Sequence, residues 1–139
     1  MLYSAQFDNA AWIKARTTLG TIASGSVVGE GYKLIASSDT NSTHTLGQLR
    51  PAFSGSRVFC FVGKAAEYSN IKLTVLGGTV QYGMGFNLSD GSTFAANIGG
   101  VSEASVGRAI HLGSGWYLCY IIVDVEAANE VRLFISEGS

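Results

Sequence analysis

The chain is short of proline, cysteine, histidine and charge. A single proline, Pro51, stands against 18 glycines. That balance suits many short strands joined by tight turns. Charged residues make up 14% of the chain, against about 25% in typical soluble domains. Net charge is −1. No basic patch argues for nucleic acid, and no acidic tail argues for a cation store. The two histidines, His44 and His111, are too few for a three-histidine metal centre. The two cysteines, Cys60 and Cys119, lack the nearby paired histidines of a zinc site. No metal and no cofactor is therefore expected. No apolar run approaches the roughly 20 residues that cross a bilayer as a helix, so no membrane insertion is expected. The first residues lack the basic segment and apolar core of a secretory signal.

Catalytic patterns are missing too. There is no His-Glu-x-x-His, no Gly-x-Ser-x-Gly and no phosphate-cradling glycine-lysine loop. Glycosidases need two carboxylates across a cleft. The acids here fall mostly at turns and strand ends, which are ordinary solvated positions. A non-enzyme is the expectation.

What is present is β pattern. The longest apolar run is Trp116-Tyr117-Leu118-Cys119-Tyr120-Ile121-Ile122-Val123, delivered by Gly113-Ser114-Gly115 and closed by Asp124 and Glu126. Both alternating sets are apolar. Side chains on a strand alternate between faces, so this strand is covered on both faces or its outer face meets another subunit. Aromatic and β-branched enrichment with flanking glycines favours a strand over a helix. Residues 57–62, Arg-Val-Phe-Cys-Phe-Val, read the same way, and the two runs fit side by side in one sheet's centre. Cys60 and Cys119 lie inside these runs. They read first as buried thiols acting as small hydrophobes; a disulfide requires that the two strands face each other.

In chain order, strands are expected over 2–7, 17–22, 32–36, 43–49, 57–62, 71–76, 79–88, 93–98, 104–112, 116–123 and 131–135. Asp8-Asn9, Gly77-Gly78, Asp90-Gly91, Gly99-Gly100 and 127–129 mark turns, and Asp90-Gly91 is a two-residue hairpin signal. Pro51 and Gly55 punctuate the chain between two strands. Gly83 and Gly85 leave room for a neighbouring backbone or a ligand. About ten short strands with turn signals every 8–12 residues and no amphipathic helix describe an all-β domain over 1–139. A two-sheet antiparallel β-sandwich, the jelly roll, is the first choice. Asp39 and Asn41 have the opening spacing of a calcium loop. The rest fails, because Arg50 stands where the closing glutamate belongs.

A binding module would use aromatics, whose flat faces stack on sugar rings. Most strand aromatics are needed for the interior. Trp12 reads first as a core or rim plug and second as a ligand platform. Tyr68, in the polar stretch Glu67-Tyr68-Ser69-Asn70, is expected to be exposed. Tyr82 lies beside the glycines at 83 and 85. Asn97, Arg108, His111 and Gln81 would supply hydrogen bonds on an outer sheet face. The candidate ligand-binding set is Tyr68, Tyr82, Trp12, Asn97 and Arg108.

The opening, Leu2-Tyr3-Ser4-Ala5-Gln6-Phe7-Asp8-Asn9-Ala10-Ala11-Trp12, resembles the start of a jelly-roll, carbohydrate-binding-module-like domain found in tail and virion proteins of tailed bacteriophages. Four later segments fit in order: 59–65, 86–92, 113–119 and 131–135. The opening and the Gly-Trp-Tyr-x-Cys segment carry most of the likeness. The resemblance implies a non-catalytic β-sandwich on a particle in the extracellular space, contacting host-surface polysaccharide. Its partners would be other virion subunits, in a homo-oligomer. Assembly inside a lysing cell needs no secretory signal. The alternative is a structural part, a capsid decoration or fibre domain, whose sheet face packs on neighbours without a glycan. The family's shared motifs make the fold, so no ligand residue carries over. Family members usually run on through a last aromatic strand near Trp-Gly-Ala-Gln-Leu, and this sequence ends before that point.

Overall fold

The structure, a computed structural model, describes residues 7–22, 31–38, 43–77, 80–96, 101–103 and 106–136. Every regular element among them is a strand: β1 (Trp12–Ala15), β2 (Thr17–Ile22), β3 (Gly31–Ala36), β4 (His44–Lys64), β5 (Asn70–Gly77), β6 (Val80–Asn87), β7 (Thr93–Ala95), β8 (Val101–Glu103), β9 (Val106–Gly113) and β10 (Trp116–Ser136). The chain is all-β and mostly antiparallel; among the described residues the one parallel pair is β6–β8. β2 and β3 form a separate two-stranded sheet, and the others form an eight-stranded sheet of order β1-β4-β10-β5-β6-β7 with β9 on β10 and β8 on β6.

Two strands organise the molecule. β4 and β10 are each 21 residues long and pair with each other almost end to end. Each absorbs two of the shorter strands expected from sequence. Pro51 and residues 127–129, expected as punctuation, lie inside them. The pairing slips there: Val125 is opposite Gly55, Ala128 opposite Phe53 and Glu130 opposite Leu49. Extra residues on alternate strands make bulges, which bend strands and sharpen their twist. Ala127 takes a left-handed φ of 51° and its N–H donates to the Ser54 hydroxyl at 3.0 Å. Pro51 fits because, among the described residues, β4 beyond Gln48 pairs on one side only, and proline is accepted at bulges and edges.

The bend lays one half of the sheet over the other, in the manner of a sandwich. β4 and β10 pair on both sides of the corner, with register shifts at it, so both layers belong to the eight-stranded sheet. Residues 116–125 of β10 lie between β9 and the end of β4, while residues 130–136 lie between the start of β4 and β5. Between the layers, Phe61 meets Phe86 edge-on at 5.8 Å, Met84 packs onto Gly107 and Tyr117 onto Gly91. The core is continuous and includes Leu46, Phe59, Leu73, Val75, Phe86, Cys119, Ile121 and Val123.

Local chemistry explains the joints. Ser114 and Gly115 both have positive φ (52° and 78°) in the two-residue link between Gly113 and Trp116, the type I′ pattern whose twist matches a hairpin. The Asp90-Gly91 turn is longer than expected. Residues 88–92 form the loop, because Leu88 turns into the core and is buried. Asn87 and Asp90 then cap the loop through Ser89 and Ser92. β1 and β8 were not expected as strands. The strand expected over 2–7 falls outside the described residues except for Phe7, which sits in a turn. The Asp39–Asn41 pair and the Gly99-Gly100 turn also lie outside the described residues.

Candidate functional site

Of the five residues proposed from sequence, the four that are described do not converge. Trp12 is buried, with Phe7 edge-on at 4.9 Å, so it is a core plug. Tyr82 packs against the core from β6. The space beside it is taken by the chain itself: the Phe94 ring covers Gly85, and Thr74 and Ala96 close on Gly83. The glycines thus admit neighbouring side chains. Arg108 is exposed on the outer face of β9, opposite Tyr120. Tyr68 is half-buried rather than fully exposed and lines a cavity. Asn97 lies outside the described residues. His111 is exposed and its ring lies against Tyr117 at 5.1 Å.

Two features stand out instead. The first is the outer face of β9, β10 and the end of β4. The register sets three apolar rows across these strands: Ile110–Leu118–Val62, Arg108–Tyr120–Cys60 and Val106–Ile122–Val58. Arg108 is the single charge among these nine residues. Val58 is 60% exposed, Ile110 46%, Val106 44% and neighbouring Leu112 40%. Strand and residue spacings make the patch about 14 Å by 20 Å, on the order of 300 Å², within the range of the largest apolar patch on a typical monomer, which is often functional. Asp124 and Ser56 border it at one end. The sequence signal was the apolar pattern on both faces of 57–62 and 116–123.

This face also separates the cysteines. β4 and β10 are neighbours, as expected, yet Cys60 stands opposite Tyr120 and Cys119 opposite Phe61. Cys60 therefore points out and Cys119 in, and both are free. The expectation of a buried thiol fails for Cys60, since its strand's outer face is uncovered. Burial pushes the Cys119 thiol up to about 12, which keeps it protonated and unreactive.

The second feature is a cavity of about 490 Å³ between the β2–β3 hairpin and the eight-stranded sheet. Its floor is apolar, with Leu19, Leu34, Phe61, Ile71 and Leu133 among its lining. Its polar lining includes Lys33, Lys64, Glu67, Tyr68 and Asn70. Lys33 on the hairpin pairs with Glu67 in the loop before β5. The hydrogen bond from Lys33 holds the Glu67 carboxyl below its usual range. Lys64 makes no ion pair among the described residues. The sequence points to Tyr68 here but to neither lysine, because nothing in the pattern places the hairpin over the end of β4.

Among the described residues no three metal-ligating side chains cluster. No protein-family model matches the chain, and no curated protein is significantly similar to it.

Proposed function

We propose that the protein is a non-catalytic structural subunit of a virion, a jelly-roll-type β-sandwich whose outer β9–β10–β4 face docks on a second copy of the same chain. The exposed apolar patch is the observation that carries this reading. An uncovered face of Ile110, Leu118, Val58, Ile122 and Val106 has a hydrophobic driving force to leave water. Charge supports a self-complementary contact. Arg108 and Asp124 lie on this face, two rows apart along β10's register. Two copies related by an axis across the strands bring each Arg108 near the other's Asp124. A net charge of −1 leaves little repulsion between copies. The phage setting, as tail or capsid-decoration part, rests on the sequence resemblance.

The test is the mass in solution by light scattering over a concentration series, with Cys60 as reporter. A dimer is expected, with Cys60 protected from maleimide when associated. Val58→Asp should give a monomer with unchanged circular dichroism and a freely labelled Cys60. A wild-type chain that stays monomeric at high concentration would overturn the reading.

Contact with host-surface carbohydrate is the second reading. It is favoured by Tyr68 beside Asn70, Lys33 and Glu67 in the cavity lining. A glycan array with no hits, or hits that survive Tyr68→Ala, would count against it.

A further inference from the structure

We infer that the cavity beneath the β2–β3 hairpin is a binding site for an amphipathic anion, a molecule with an aliphatic body and one carboxylate head. The inference does not depend on the outer-face interface. Three observations carry it.

The first is size and lining. At about 490 Å³ the cavity far exceeds ordinary packing voids and falls among small-molecule sites. Leu19, Leu34, Phe61, Ile71 and Leu133 give bound water few partners. Sugar hydroxyls set on such a floor would lose hydrogen bonds, whereas methylene groups gain by leaving water.

The second is charge. Lys64 lines the cavity without an ion pair among the described residues, and Lys33 is shared with a single carboxylate. A ligand head carrying one negative charge complements that surplus, and charge-assisted hydrogen bonds to an ammonium are the stronger kind.

The third is how the roof is attached. The β2–β3 hairpin makes its ladder bonds within itself and none with the larger sheet. It is held at its base, where the Thr17 hydroxyl donates to the Thr45 carbonyl at 2.8 Å, and by the Lys33–Glu67 pair. That pair is solvent-exposed and so contributes little by itself. Leu34 packs on the core and Tyr32 meets Phe7 edge-on at 6.1 Å, so the roof rests on the sheet through side-chain contacts rather than ladder bonds and can shift to admit a chain-like ligand.

The test titrates the full-length chain with sodium dodecanoate below its micelle concentration, followed by calorimetry and thermal melting. Dodecan-1-ol, acetate and a neutral maltooligosaccharide are run in parallel. One saturable dodecanoate site with a raised Tm is expected, and no binding of acetate or the oligosaccharide. Lys64→Gln should weaken dodecanoate by about tenfold, as loss of one charge-assisted contact does, and leave dodecan-1-ol unchanged. Ala66→Trp, at an exposed lining position, should abolish both while the fold is kept by circular dichroism. Oligosaccharide binding without dodecanoate binding, no saturable dodecanoate site, or dodecanoate binding unaffected by Ala66→Trp would each overturn the inference.

Discussion

The two halves of β10 share one core and treat their outer faces in opposite ways. Over residues 116–125 the inward side chains Tyr117, Cys119, Ile121 and Val123 are buried, while Leu118, Tyr120 and Ile122 form an apolar outer face. Beyond the bulge, Val131 and Leu133 again turn inward, but the outer face carries Glu130 and Arg132 in a bidentate pair at 2.6 and 2.7 Å. The outer face of the second half is closed within the chain, with Phe134 buried on it and Glu130 and Arg132 satisfying each other. The first is finished only on the inside. Among the described residues this outer face is the one the proposed interface would cover.

The comparison is broken or sharpened by substitutions on each side. Ile121→Ala, at a fully buried inner position, should cost about 2–5 kcal/mol in urea unfolding. Ile122→Ala, one residue on and partly exposed, should cost clearly less in a monomeric background. Equal losses would mean that the outer face is already covered within the chain. Arg132→Ala should cost about 1 kcal/mol, less at high salt, because the pair is bidentate yet partly exposed. Ala127→Gly should gain about 0.5 kcal/mol, since relief of left-handed strain exceeds the entropy that glycine loses. Val58→Asp should change monomer stability by no more than about 0.5 kcal/mol while removing association.

The smallest effect is on pH dependence. The Ser92 backbone N–H and then its hydroxyl hold the Asp90 carboxyl below its usual range. A depressed carboxylate stabilises fully above its unfolded pKa, and that contribution is lost as pH falls through the lower folded value. Acidification below the ordinary carboxylate range should therefore speed amide exchange at Ser92. Asp90→Asn should remove that pH dependence.

Much of the fold was legible. Alternation marked β2, β3, β5, β6, β9 and the cores of β4 and β10, because a two-residue period is a local property. The pairing of 57–62 with 116–123 was legible from their shared two-sided apolarity. The corner was not. Pro51 and 127–129 carry the chemistry of turns, and whether such residues end a strand or bulge within it depends on the partner across the ladder. The site was less legible still. Trp12, Tyr68, Tyr82 and Arg108 were chosen for side-chain type, and type does not say which neighbour buries a ring.

The sequence by itself determined an all-β chain, the alternation that divides its core from its surface, and one central strand with two apolar faces. Periodicity and turn propensity act over a few residues and are written where they act. Only the tertiary structure decided that β4 and β10 run unbroken through a bulged corner, that Cys60 and Cys119 lie on opposite faces, and that Lys64 lines an apolar cavity. Those outcomes depend on contacts between residues far apart in the chain, and packing across the fold sets them.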